Sequence, residues 1–165
     1  MEAAPLLHNE TERLAAVHQL RILDTAPEPR FNELVELAAF IAHTPIAAMT
    51  LIDEDRQWFK ASIGLEIPGS TRDISFCGHT IADDRMMVVP DTLRDDRFTD
   101  NPLVSSAPNI RFYAGVPLAG PSGHHVGTLC VLDTRPRTFL SDERRALEIL
   151  GRQVEAQLQL RRSSD

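Results

Sequence analysis

Pro45 to Ile52 is an eight-residue run in which Thr50 is the one polar side chain. An apolar run of that length is the pattern of a central strand buried on both faces. Such a strand needs a layer on each side, and the flanking sequence offers two different kinds. Asn9 with Glu12 reads as a capping box, predicting a helix from about Glu10 to Ile22. Its Leu14, Val17, Leu20 and Leu23 recur every third position, a stripe that drifts around the helix. Pro27 and Pro29 break the chain, and a second helix is predicted from about Arg30 to Ala42 with Phe31, Leu34, Val35, Ala38 and Ile41 on one face. At the far end Ser141 is predicted to cap a helix reaching about Arg162. Acidic Asp142 and Glu143 stand at its positive end, and Arg161 and Arg162 at its negative end.

Between these helices lie only strand-like patterns. Asp53-Glu54-Asp55 is turn chemistry, and Gln57 to Ile63 reads as the return arm of a hairpin. Gly64 to Ser70 reads as a loop and Met86 to Val89 as a short strand. Ile110 to Leu118 and His125 to Asp133 form a last hairpin around Gly120-Pro121-Ser122-Gly123. Helices at both ends of one strand region share a single sheet face, which predicts an α+β sandwich. Residues 1–8 read as a flexible leader, 9–162 as a single domain and 163–165 as a tail.

The opposite sheet face is left to two stretches with neither helical nor strand period. One is Arg72 to Ile81, where a short helix is predicted over about Ser75 to Ala82. The other is Asp91 to Val104, a loop with one or two helical turns. Polar and aromatic segments set between regular elements are where binding function concentrates, and a sheet covered in this way builds a small-molecule pocket. A net charge of −7 argues against non-specific nucleic-acid binding. No apolar run approaches the about 18 residues that span a membrane, and no basic region precedes an apolar stretch at the start. Cys77 and Cys130 are the two cysteines, too few for a disulfide framework or a four-ligand zinc site. A cytoplasmic protein with reduced, unlinked thiols is the expectation.

An ordered series of matches resembles the GAF domains of bacterial sensory proteins. It runs through Ile46 to Lys60, Asp73 to Ile81, Val89-Pro90-Asp91, Asp95 to Phe98 with Asn101-Pro102, Arg111 to Leu118 and Gly127 to Asp133. Leu20 to Thr25 and the last helix fit as well, so the resemblance covers nearly the whole chain. It implies a six-stranded antiparallel sheet, with the N- and C-terminal helices on one face and a ligand pocket under loops and short helices on the other. It also implies a setting in histidine kinases, diguanylate cyclases or phosphodiesterases, in which the terminal helix relays occupancy. The sequence carries no output domain, so a kinase or cyclase output partner would belong to a longer protein or a separate chain.

Within that frame the expected pocket is lined by Phe76, Cys77 and His79 from the first cover and by Asp91, Phe98 and Asn101 from the second. Tyr113 and Cys130 are assigned to the sheet floor, because Arg111, Tyr113 and Gly115 share one strand face while Phe112, Ala114 and Val116 share the other. Cys77 reads as a redox sensor, an attachment point or a small buried hydrophobe. Gly78 separates it from His79, unlike the adjacent Cys–His pair of the bilin-binding relatives. The free methionine-(R)-sulfoxide reductases, also GAF proteins, place their catalytic thiol in the segment corresponding to Asp100–Asn109, which here lacks cysteine. That leaves Cys77 as the thiol of an alternative, reductase-like reading. No catalytic residue is assigned, and the cyclic-nucleotide signature of other relatives is absent. His124 and His125 read as solvent-exposed turn residues with too few neighbours for a metal. Asp95 and Asp96 read as caps. Leu147, Leu150, Val154 and Leu158 form a near-heptad stripe that reads as folding back on its own sheet or as a parallel dimer seam, and Ile149, Ala156 and Leu160 beside it leave room for both. A homodimer through the terminal helices is therefore expected, with a degenerate dimerisation module as the bland alternative. The sequence names no cofactor and no particular ligand.

Overall fold

A computed structural model describes residues 1–164, with side chains through Arg161. The elements are α1 (Glu10–Gln19), α2 (Pro29–Ala42), β1 (Ile46–Ile52), β2 (Arg56–Ile63), β3 (Gly69–Thr71), α3 (Phe76–Thr80), β4 (Met87–Val89), α4 (Pro102–Ser105), β5 (Phe112–Ala119), β6 (His125–Asp133) and α5 (Ser141–Ser164). A 3-10 turn spans Thr92–Arg94. Six strands form one antiparallel sheet in the order β3-β2-β1-β6-β5-β4. The run that opened the argument is β1, buried at every position, and it lies between β2 and β6.

Alternation along the strands divides the interior into two cores. Ala47, Met49 and Leu51 of β1, Phe112, Ala114 and Val116 of β5, and Leu129 and Val131 of β6 face the helical layer. Against them α2 packs Phe31, Val35, Ala38 and Ala42, and α5 packs Leu147, Leu150, Val154 and Leu158. Spacings of three and four put each set on one helix face, so these stripes are spent on the protein's own core. The other face presents Ile46, Ala48, Ile52, Tyr113, Cys130 and Leu132 to α3 and the loops. Pro29 opens α2, where its missing N–H costs nothing. His43 in left-handed geometry ends it, its N–H reaching back toward the last carbonyls.

Five expectations change. No capping box forms at α1: the backbone of Asn9 sits at φ −104, ψ 31, its side chain caps nothing, and its Oδ1 is buried without a partner. An N-cap side chain reaches the first-turn N–H groups only from extended backbone. Helix α5 starts with Ser141 inside it, and Glu143 takes the capping role by accepting from the Leu140 N–H at 2.9 Å. Residues 1–8 are not a frayed leader, because the Glu2 and Ala4 N–H groups donate to the Arg97 and Asp73 carbonyls at 3.0 Å each. Helix continues through Ser164 where a tail was expected; Asp165 and the side chain of Arg162 lie outside what is described. Finally, α1 buries Ala16 and Val17 and offers no large exposed apolar residue. The exposed apolar side chains of the helical layer are Leu37 and Phe40 on α2 and Ile149 and Leu160 on α5. Among the described residues no helix is long and apolar enough to cross a membrane.

Candidate functional site

Helix α3 is one short turn pressed on the cover face of β1, β6 and β5. Ser75 starts it, accepting from the Gly78 N–H at 3.0 Å and donating to the Arg72 carbonyl at 2.7 Å. Gly78 is required there, since a Cβ would sit 2.7 Å from both Ala4 and the Ser75 hydroxyl. On the sheet, Tyr113 lies across its own strand over Gly115, where a Cβ would come within 2.2 Å of the phenol oxygen. The phenol is thereby laid under α3.

The result is a buried chain of hydroxyls around one sulfur. Thr128 donates to Cys77 Sγ at 3.0 Å and the Tyr113 hydroxyl at 3.3 Å. Thr80 Oγ1 and the Tyr113 hydroxyl are 2.7 Å apart, and Thr50 and Thr128 share a hydrogen bond at 2.9 Å. Cys130 Sγ lies 3.8 Å from Cys77 Sγ and 3.6 Å from the Ala48 carbonyl. Both thiols are free. Burial pushes the Cys77 thiol up, but hydrogen bonds from Cys130, Thr128, Tyr113 and Thr50 outweigh it and bring the thiol down to about 7. The hydrogen bond to Cys77 and then burial drive Cys130 the other way, well above the ordinary thiol range. Burial and the Cys77 charge also keep the Tyr113 phenol protonated. Of the pair, Cys77 is therefore the more readily ionised sulfur and Cys130 the one that holds its proton.

Phe76 and Cys77 from α3 and Tyr113 and Cys130 from the sheet line an apolar recess beside this network. Its free volume is only about 30 Å³. The other four expected residues lie elsewhere. Phe98 is fully buried behind Phe76, ring centroids 4.5 Å apart, as a second layer rather than a wall. His79 stacks edge-on to Phe98 and donates from Nε2 to the Glu2 carbonyl at 3.1 Å. Burial lowers its pKa, so neutral imidazole clasps the N-terminal segment. Asp91 caps the Thr92–Arg94 turn on the outer side of the cover, accepting from Leu93 at 3.1 Å. Asn101 caps α4 and donates to the Ile74 carbonyl at 2.9 Å, tying the two covers together. Both are local capping roles, which Asn-Pro and Asp-Thr pairs signal in sequence.

The walls that the sequence did not disclose are Gln57 and Phe59 of β2, Leu65 and Ile67 of the loop after it, and Leu103 and Ile110 of the second cover. Phe59 lies in a strand that the alternation did identify; the loop residues carry no such signal. His125, expected to be exposed, is half-buried, and its Nδ1 donates to the Ile81 carbonyl at 2.8 Å at the end of α3. No group of three metal-ligating side chains occurs among the described residues.

A third cluster joins this cover to the helical layer. Glu10 at the start of α1 binds Arg13 at 3.0 Å twice, and Arg72, just before α3, at 2.5 and 3.0 Å. Arg13 is fully buried and donates to the Ile52 carbonyl at 2.7 Å. Burial raises the Glu10 carboxyl, but hydrogen bonds from Arg72 and Arg13 win and hold it down to about 2.

Sheet order, the helical layer on one face and short helices with loops on the other define an α+β module of the sensory-domain type. The GAF domain family profile matches residues 10–158, and the chain belongs to that family. It is 41% identical, over its whole length, to part of the "Cyclic di-GMP phosphodiesterase PA2567" of Pseudomonas aeruginosa. The chain spans 28% of the length of that relative. Among solved structures, a domain of a putative two-component sensor histidine kinase from Sinorhizobium meliloti superposes with TM-score 0.66 at 19% identity, covering 86% of this chain and 97% of that one. The free methionine-R-sulfoxide reductase of Neisseria meningitidis, in complex with its substrate, gives TM-score 0.65 at 18% identity, covering 94% and 91%. At these identities the two superpositions speak to the fold alone.

Proposed function

We propose that this chain is a regulatory sensor, binding a small molecule in the recess under α3 and passing occupancy to an output domain. The observation that carries it is the recess itself, lined by Phe76, Tyr113 and both cysteines and closed by irregular segments. Ligand pockets hold hundreds of Å³, whereas this one is nearly filled. Binding therefore requires the loop carrying Leu65 and Ile67, or the cover carrying Leu103, to move, and that movement is the signal. The lining is apolar with Gln57, Ser70 and Tyr113 as polar handles, which favours a flat or amphipathic ligand. The 41% identity to part of a cyclic di-GMP phosphodiesterase supports an output of that class, and the cytoplasm is the compartment this reading assigns. Leu37 and Phe40 on α2, with Ile149 and Leu160 on α5, supply the apolar surface for a homodimer.

Native mass spectrometry of protein purified from its own host is the test. A retained small molecule, lost in Cys130→Trp with the dimer intact, supports the reading. Empty wild-type protein that no compound stabilises in a thermal-shift screen removes it. A second reading, thiol-dependent reduction of free methionine sulfoxide, draws on the contact between Cys77 and Cys130. A coupled assay with the free sulfoxide decides it, and turnover abolished by Cys77→Ser would favour it.

A further inference from the structure

The two cysteines face each other across the recess, from elements with different freedom. Cys130 sits in β6, held on both edges by β1 and β5. Cys77 sits in α3, a single turn held mainly by side chains. Their sulfurs stand 3.8 Å apart, so closure to a bond of about 2.05 Å needs a shift of less than 2 Å. The strand is fixed by its ladders, so α3 is the element that moves. Hydroxyls of Thr128 and Tyr113 already donate to Cys77 Sγ, stabilising charge on that sulfur. Neither sulfur is on the surface, with Cys77 3% and Cys130 2% exposed. Both line the recess, whose small free volume of about 30 Å³ favours a small oxidant over a bulky one.

We propose that Cys77 and Cys130 are a peroxide-reactive pair, in which hydrogen peroxide oxidises Cys77 and Cys130 then closes a disulfide beneath α3. The Cys77 sulfur attacks one peroxide oxygen, the O–O bond breaks, and the departing hydroxide takes up the thiol's proton as water. Cys77 is then a sulfenic acid. The Cys130 sulfur displaces its hydroxyl, which leaves as a second water with the Cys130 proton. Two thiols are oxidised by two electrons and one peroxide is reduced to two waters. The polarity of the pair agrees with the ionisation described above, since the thiolate is the attacking form.

The consequence, which rests on the sensory reading, is mechanical. Drawing α3 toward β6 pulls on Gly78, against which Ala4 is packed, on the His79 clasp to Glu2, and on Arg72, bonded to Glu10 of α1. Oxidation thus reaches the helical layer through contacts that already exist.

The test uses reduced, desalted protein exposed to hydrogen peroxide, then unfolded, alkylated and mass-analysed. Expected is loss of both alkylation sites, a chain lighter by two hydrogens, and one cross-linked peptide joining Cys77 to Cys130, all reversed by dithiothreitol. Cys130→Ser should stop at one added oxygen on Cys77, trapped by dimedone. Cys77→Ser should leave Cys130 fully alkylatable, and cumene hydroperoxide should act more slowly than hydrogen peroxide on the wild type. Two alkylatable thiols after peroxide, over-oxidation of Cys77 without a cross-link, or oxidation of Cys130 in Cys77→Ser would each overturn the proposal. A cross-link in protein that binds no small molecule removes the ligand reading alone. Ligand binding in protein that forms no cross-link removes the thiol pair alone.

Discussion

Replacing Glu10 by Gln separates the cover from the helical layer without changing side-chain volume. Glu10 is the shared acceptor of two arginines whose side chains are 0% and 4% exposed. Removing its charge leaves two buried guanidinium groups facing an amide, and breaking a buried pair of this kind costs about 3–5 kcal/mol. The acid dependence gives a sharper signature. The folded-state carboxyl is held near 2 against an ordinary 4.5, so its contribution is complete above the ordinary value and is lost as pH falls through about 2. With each unit worth about 1.4 kcal/mol before screening at this partly exposed group, the loss is on the order of 2 kcal/mol. Urea unfolding of wild type and Glu10→Gln, followed by far-UV circular dichroism, measures both. The wild type should be the more stable by about 3–5 kcal/mol at neutral pH, the gap narrowing by about 2 kcal/mol from pH 5 to pH 2. Other carboxylates titrate in both proteins and cancel in the difference. A gap that stays constant across that range would refute the assignment of Glu10 as the ionised hub.

Tyr113→Phe removes the hydroxyl shared by Cys77 and Thr80; it should cost about 1 kcal/mol in stability and move the pH profile of Cys77 alkylation upward, read with a small thiol reagent. Leu158 is fully buried, so Leu158→Asp should unfold the domain, whereas Phe40→Asp or Leu160→Asp should leave the thermal midpoint of the monomer nearly unchanged and dissociate the proposed dimer in sedimentation velocity. Leu158→Ala should cost about 2–5 kcal/mol, measured by urea titration. Arg161 binds Glu28 at 3.0 Å and the Leu20 carbonyl at 2.6 Å, so Arg161→Ala should raise hydrogen exchange at the end of α5 ahead of its core turns.

The sheet was legible because β1 and β6 are long and β5 alternates cleanly. That same parity put Tyr113 and Cys130 on the cover face and Phe112 and Ala114 on the helix face. Long helices were legible from their stripes, though Leu158 belonged to the core and not to a seam. Ends were not: α1 stops at Gln19, short of the expected Ile22, because Arg21 takes a left-handed backbone with φ 51. Of the eight expected site residues, the four outside the recess share one cause. Asp91 and Asn101 are capping residues whose side chains bond within a few positions or to a neighbouring turn, while Phe98 and His79 pack on one another. Polar and aromatic character in a loop fails to separate holding the cover from lining the cavity. The arginine pair was opaque for a different reason. Arg13 looks like the polar side of α1, and its burial depends on Arg72, 62 positions from Glu10. The distance of 3.8 Å between the sulfurs is likewise a tertiary fact that spacing in the chain does not encode.

The central claim is that filling the recess moves its cover and that the helical layer feels it. Hydrogen exchange measured on host-purified protein, before and after unfolding and refolding to strip the small molecule proposed to fill the recess, tests this most directly. The account predicts slower exchange in the liganded protein at residues 64–82 and 101–110, with a smaller change in α1 around Glu10. Protection confined to the helical face, or identical exchange in the two samples, would contradict it.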